Sequence, residues 1–378
     1  MFSFFTGRFK LLLVLKIAFA GYVALQGQAY AYVGQGECRF AQGYGNTATL
    51  TGGTTLGVHW RPYNSSSVTE SLVTFRVPVS PTLTSHCDSG NDGRNLVAKD
   101  PSDYTYRQGR GPQTDGSMGN YYLTNIPGIF FSVKMRSPAG GGYFGGNGSE
   151  QYSGWTTLVE ASTDIWNNQA WEAEVTIWQD SWEFQRAGGN RNNATYITPA
   201  ASFTLGQMGL GNPTDSNNQP WTFNVTPSSF QIPIVPSTCQ TAQLDTGSNN
   251  IDLGEFMISD FNGTPRTHGF TVQLLGCDNA YAVDFKMVTD KTSGSQNELL
   301  GNVLEGQGAA EGVGVKLFAR NYGQPIPPNG AATTFYSRST DAGTSFGVLN
   351  FDAQLLKDGN PLKAGAFKAK TTFQMTYY

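Results

Sequence analysis

The chain has 378 residues, of which 14% are charged, and a formal net charge of −4 at pH 7. That length allows two domains with substantial cores. Its basic residues are scattered, which argues against nucleic acid or an anionic membrane as a partner, and the low charge content leaves Gly, Asn, Ser and Thr to face solvent, as suits an exported β protein with many turns.

Residues 1–31 read as a signal peptide. Arg8 and Lys10 precede the apolar run Leu11 to Leu15, a second apolar stretch spans Ile17 to Leu25, and Ala29-Tyr30-Ala31 has the small-x-small cleavage pattern. A retained anchor needs roughly 20 predominantly apolar residues, and Lys16 interrupts this run. Removal of the segment takes away three cations and shifts the formal charge from −4 to −7.

The cysteines form two separated clusters, Cys38 with Cys87 and Cys239 with Cys277. An even count outside the cytoplasm favours disulfides over metal or catalytic thiols. Three connectivities are possible; the local pairing, one bridge per domain, is expected. Cys-x-x-Cys spacing is absent, so no zinc knuckle is expected.

All seven tryptophans lie between Trp60 and Trp221, and none follows Cys239. This shift marks a first domain over residues 32–232, a proline-containing connector over 233–238 and a second domain over 239–378. In the first, short alternating runs such as Ser71 to Val77, Gly128 to Met135 and Trp171 to Ile177 predict strands separated by turn residues. The fold class expected is all-β, with an elongated sandwich of the jelly-roll type. Asp88 to Asn120 is a long stretch poor in apolar residues, and such loops are usually functional or disordered.

The last fourteen residues, Gly365 to Tyr378, carry the sharpest pattern. Phe367, Ala369, Thr371, Phe373, Met375 and Tyr377 fall on one face at period two, and Lys368, Lys370, Thr372, Gln374 and Thr376 on the other. This predicts a half-buried strand that no later strand covers, and an open apolar edge invites a strand from another chain.

A glycine fourteenth from the end, alternating apolar residues after it and a penultimate aromatic resemble the C-terminus of subunits assembled by the chaperone-usher pathway. Ile251-Asp252-Leu253-Gly254 is similar to the end of that family's first strand, and Phe270 to Cys277 to its second. Gly312 to Leu317, followed by Gly323 to Pro327, is similar to the hairpin before the last strands. The resemblance implies an incomplete immunoglobulin-like pilin domain whose missing strand comes from a periplasmic chaperone and then from the adjacent pilus subunit, with an outer-membrane usher as a further partner. Only Tyr32 to Glu37 precede Cys38, too short a stretch to fill a neighbour's groove, so a place at the fibre tip is expected. Asn125-Ile126-Pro127-Gly128-Ile129 also resembles the start of a strand in adhesive domains of such fimbriae, the type 3 kind among them. Together these imply a two-domain tip adhesin at the cell surface whose first domain binds a host glycan, or alternatively a matrix protein such as collagen or fibrinogen.

Candidate contacts for that ligand are aromatic and fork-shaped side chains on loops, expected at the end distal to the connector. They are Tyr104 and Tyr106 in the long polar stretch, Tyr143, Phe144 and Asn147 on a glycine-rich loop, and Trp182, Arg186, Asn190 and Arg191. Trp182 and Phe184 also alternate like core residues. His59 and His86 lack the spacing of a metal site, and neither metal nor cofactor is expected. Glu172 and Glu174, two apart on one strand face, have a separation that glycosidases use. A secreted hydrolase is therefore an alternative, although the expectation is a non-enzyme.

Overall fold

A computed structural model describes residues 38–40, 47–61, 69–87, 95–146, 154–161, 163–189, 194–211, 220–280, 282–336 and 347–378. Residues 1–37, with the signal-peptide reading and the stretch before Cys38, lie outside the described residues, as do Asn147, Asn190 and Arg191.

The alternation at Trp171 to Ile177 belongs to the strand Gln169–Asp180, which buries Trp171, Ala173, Val175 and Ile177 and leaves Glu172 and Glu174 part-exposed. It pairs with Ile129–Ser137 on one side and with Thr69–Val77 and Leu83–Cys87 on the other. Among the described residues this sheet has eight strands, running from Cys38–Phe40 at one edge to Arg107–Pro112 at the other. Cys38 and Cys87 face each other in register and are bridged. A six-stranded sheet, ordered Thr156–Val159, Leu96–Lys99, Phe203–Leu210, Trp221–Val225, Thr47–Leu50 and Val79–Ser80, contributes to the same core. Phe131 from one sheet meets Phe203 from the other at 6.2 Å, and Phe40 meets Phe223 at 6.3 Å. Full burial of each such ring contributes about 2 to 3 kcal/mol.

The second β-sandwich has its own core around Phe270, Phe285, Leu317 and Phe351. Its larger sheet has seven strands among the described residues and begins with Thr238–Leu244 paired to His268–Asp278, where Cys239 and Cys277 are bridged in register. Both bridges are the local ones expected. The opposite sheet has, among the described residues, three strands in the order Thr333–Tyr336, Ala282–Val288, Thr372–Tyr377. The segment Ile251 to Gly254, expected to end the first strand, belongs to no strand, because pairing stops at Leu244 and the chain turns at Gly247 with φ +67°.

The first half of the connector, Pro233 to Val235, is bound into the first domain. Ile232–Pro233 pairs with Tyr196–Ile197, the Ile234 N–H donates to Thr195 O, and the Val235 N–H donates to Val58 O. Asn279 then ties the two domains together. Its side chain accepts from the Trp60 N–H at 2.5 Å and donates to Val235 O, while its carbonyl accepts from Ser237 Oγ at 2.8 Å. Beside it His59 Nε2 lies 3.1 Å from Asp278 Oδ1. Asn279 is buried and holds φ +53°, a conformation that asparagine tolerates better than other side chains. Asn279→Ala strands a buried N–H and a buried C=O in a strained backbone and is expected to lose about 2 to 4 kcal/mol. Denaturant unfolding, with protease cleavage between Val235 and Cys239, measures this; unchanged stability and cleavage contradict the clasp.

Candidate functional site

Among the described residues the terminal strand Thr372–Tyr377 is paired on one side only. Tyr378 exchanges both main-chain bonds with Ala282, at 2.8 and 2.9 Å, and the register runs without a shift to Val288 opposite Thr372. In an antiparallel ladder such bonded pairs alternate, so Thr376, Gln374 and Thr372 point their N–H and C=O groups at Ala282–Val288. Phe373, Met375 and Tyr377 point theirs the other way, where no strand among the described residues meets them. The side chains of these three are half-buried, and Phe373 packs on Phe285 at 4.7 Å. Phe367, Ala369 and Thr371 continue the same half-buried face, with Thr371 Oγ1 donating to Val288 O at 3.1 Å. Ile251, Leu253 and Phe256, from the segment without a strand partner, pack partly exposed on the same core.

Gly365 opens this face for a steric reason. A Cβ there would lie 2.5 Å from the carbonyl carbon of Ala309 and 2.6 Å from the amide nitrogen of Ala310. The close approach lets Ala366 bond both Gly308 O and the Ala310 N–H, which sets the entry to the terminal strand.

In the first domain the predicted ligand residues separate. Tyr143 and Phe144 are buried, at 3% and 1% exposure, so the reading of a glycine loop displaying two aromatics is corrected. Gly140–Tyr143 is a strand that returns along Ile129–Ser137. Its glycines are there for close contact: a Cβ on Gly141 would come within 2.0 Å of Met135 O. Tyr143 lies beneath Lys134 and Phe144 packs on Phe223 at 5.6 Å.

Trp182 and Phe184 do not alternate on a strand, because Ser181–Arg186 is a helix with the Asp180 side chain accepting from the Glu183 N–H at 2.9 Å. Phe184 turns inward onto Trp60 at 4.8 Å, whereas Trp182 and Arg186 are exposed. Trp60 is bonded to Asn279, so this helix sits at the end nearest the second domain, opposite to the distal end expected for ligand contacts. Burial first, and then the neighbouring Asp180 charge, raise the Glu183 pKa.

Tyr104 is exposed, with the Arg107 guanidinium 4.1 Å over its ring, and Tyr106 is half-buried and stacked on Phe203 at 5.0 Å. Beneath them lies a polar network that the sequence did not flag. Asn120, fully covered, donates to Asp100 Oδ1 at 3.0 Å and to the Tyr122 hydroxyl at 3.3 Å, and accepts from Arg107 Nη1 at 3.4 Å. Positions 100, 107 and 120 share no local spacing; the long polar stretch that contains them was the only signal.

Glu172 and Glu174 are held in a ladder of ion pairs, Glu172 with Arg76 at 3.2 Å and Glu174 with Arg136 at 2.6 Å. Among the described residues no three His, Cys, Asp or Glu side chains converge as a metal site.

Residues 228–378 match the family model described as Fimbrial protein. The second domain is therefore similar to a fimbrial protein domain. No curated protein matches the chain. Among solved structures, the CupB6 tip adhesin of Pseudomonas aeruginosa is 13% identical, with 90% of this chain and 94% of that one covered and a TM-score of 0.47. A mutant of the CFA/I adhesin CfaE from enterotoxigenic E. coli is 12% identical over 89% and 94% of the two chains, with a TM-score of 0.30. The P pilus rod subunit PapA is 17% identical, its whole length covering 38% of this chain, with a TM-score of 0.28.

Within the fimbrial domain the Gly365 contact is testable. Gly365→Ala forces a backbone shift at the start of the terminal strand and is expected to destabilise by about 1 to 3 kcal/mol. Gly347→Ala, where a Cβ meets nothing within 4 Å, serves as the control. Equal unfolding midpoints for the two variants contradict the steric role.

Proposed function

We propose that the chain is the tip adhesin of a chaperone-usher fibre. Its fimbrial domain accepts a strand from a periplasmic chaperone and then from the next pilus subunit, and its first domain binds a glycan at the surface of a host cell. The observation that carries the reading is the row of outward main-chain groups at Phe373, Met375 and Tyr377, set above an apolar core inside a domain that matches the fimbrial family. An incoming extended segment would add its own main-chain bonds to that row and seat alternate side chains on the half-buried face.

The first domain differs in composition and has a separate, aromatic core, which leaves it free to present a binding surface away from the fibre. The route would run through the periplasm and an outer-membrane usher to the fibre tip. The domain limits follow as residues 32–232, 233–238 and 239–378, behind a signal peptide of residues 1–31.

Deleting Thr371 to Tyr378 removes the strand that forms the open edge, and capture by the cognate chaperone should be lost, with no surface display. Co-purification with the chaperone and fibre labelling measure this. Normal incorporation of the truncated chain contradicts the proposal. A glycan array run beside immobilised collagen and fibrinogen tests the ligand class, and binding to matrix protein alone contradicts the glycan half.

A further inference from the structure

We propose that Arg107 and Tyr104 form the glycan contact of the first domain, and that the sugar class they take is a neutral pyranose with vicinal hydroxyls. This rests on the glycan-binding reading above.

The Arg107 side chain is only 14% exposed, yet among the described residues only Nη1 is engaged with protein polar atoms, by Asn120 Oδ1 at 3.4 Å and Asp100 Oδ2 at 3.5 Å. Among the described residues its Nε and Nη2 N–H groups have no protein partner, and neither is sealed from solvent. Those two groups are the parallel edge of the fork, the geometry that binds two oxygens at once.

Three contacts fix that edge in place. Asp100 and Asn120 hold one end, and the Tyr104 ring lies 4.1 Å below the plane. Asn120 spends both N–H donors and its carbonyl oxygen on this network, and Tyr122 donates onward to Leu205 O at 2.8 Å. Space is reserved for it, since a Cβ on Gly145 would fall 2.2 Å from Asn120 Oδ1. A buried network of this kind carries a desolvation cost. Closing the Arg107–Pro112 strand against Met118–Leu123 does not require it, because that pairing is made by main-chain bonds.

The choice of a neutral sugar follows from charge. Asp100 already balances the guanidinium, and exposed Asp103, next to Tyr104 in the chain and kept ionised by bonds from the Thr105 hydroxyl and N–H to Oδ1, has no partner on Oδ2 among the described residues. An acidic ligand meets two carboxylates and one arginine there. Vicinal hydroxyls can instead accept from the fork and donate to Asp103, while the exposed part of Tyr104 covers the apolar face of the ring.

The test uses the full chain on an array of neutral oligosaccharides and their sialylated or uronic counterparts, with Tyr104→Leu, Arg107→Lys and Trp182→Ala as variants and far-UV circular dichroism as the fold check. Expected is binding to neutral glycans that falls at least 10-fold in Tyr104→Leu and in Arg107→Lys, which keeps the charge and loses the fork, and is unchanged in Trp182→Ala. Neutral-glycan binding that both variants retain overturns this site and leaves the adhesin reading standing. Binding confined to acidic glycans overturns the sugar class, and a wild-type chain that binds no glycan overturns both readings together.

Discussion

Among the described residues the terminal strand is bonded on one side and open on the other, and it lies over a core that the three strands of its sheet leave partly exposed. Water can bond the outward N–H and C=O groups of Phe373, Met375 and Tyr377, but it cannot cover the side chains of those residues favourably. One added strand removes both costs at once, because its main chain meets the row and its alternate side chains meet the apolar face. The rest of the second domain can be understood as a frame for that edge. Gly365 and the Gly308 to Ala310 backbone aim the strand, the register along Ala282–Val288 fixes which residues face outward, and the bridged strands opposite form the floor.

The same geometry links the edge to the first domain. Tyr378 closes the last rung with Ala282, and both pack against the first domain's core. Asn279 stands three residues before Ala282 and holds Trp60 and Val235. The connector is therefore a short strap bonded to the first domain until Val235, and the three-stranded sheet of the second domain ends against the core of the first.

Much of this was legible in the sequence wherever a single periodicity decided the outcome. The alternation from Phe367 to Tyr377 and that from Trp171 to Ile177 each specify a strand and its buried face, and the cysteine clusters specify the local bridges. Legibility failed where short segments depend on distant neighbours. Asp180 to Arg186 carries a strand-like spacing of Trp182 and Phe184, yet six residues capped by Asp180 form a helix; the Asp-x-x-Glu spacing was the available signal. The glycines at 140–142 suggested mobility and instead permit backbone contact with Met135. Ile251 to Gly254 looks like strand, and no strand among the described residues pairs with it. The Asp100, Arg107 and Asn120 network is assembled by tertiary structure from positions without a common spacing.

Amide hydrogen exchange along the terminal strand, read residue by residue in the full chain with and without a bound donor-strand peptide, addresses the central claim most directly. The account predicts that the N–H groups of Phe373, Met375 and Tyr377 exchange rapidly alone and become protected with the peptide, while those of Gln374 and Thr376 are protected in both states. Protection of all five without any peptide would mean that the edge is already closed from within the chain, and would contradict it.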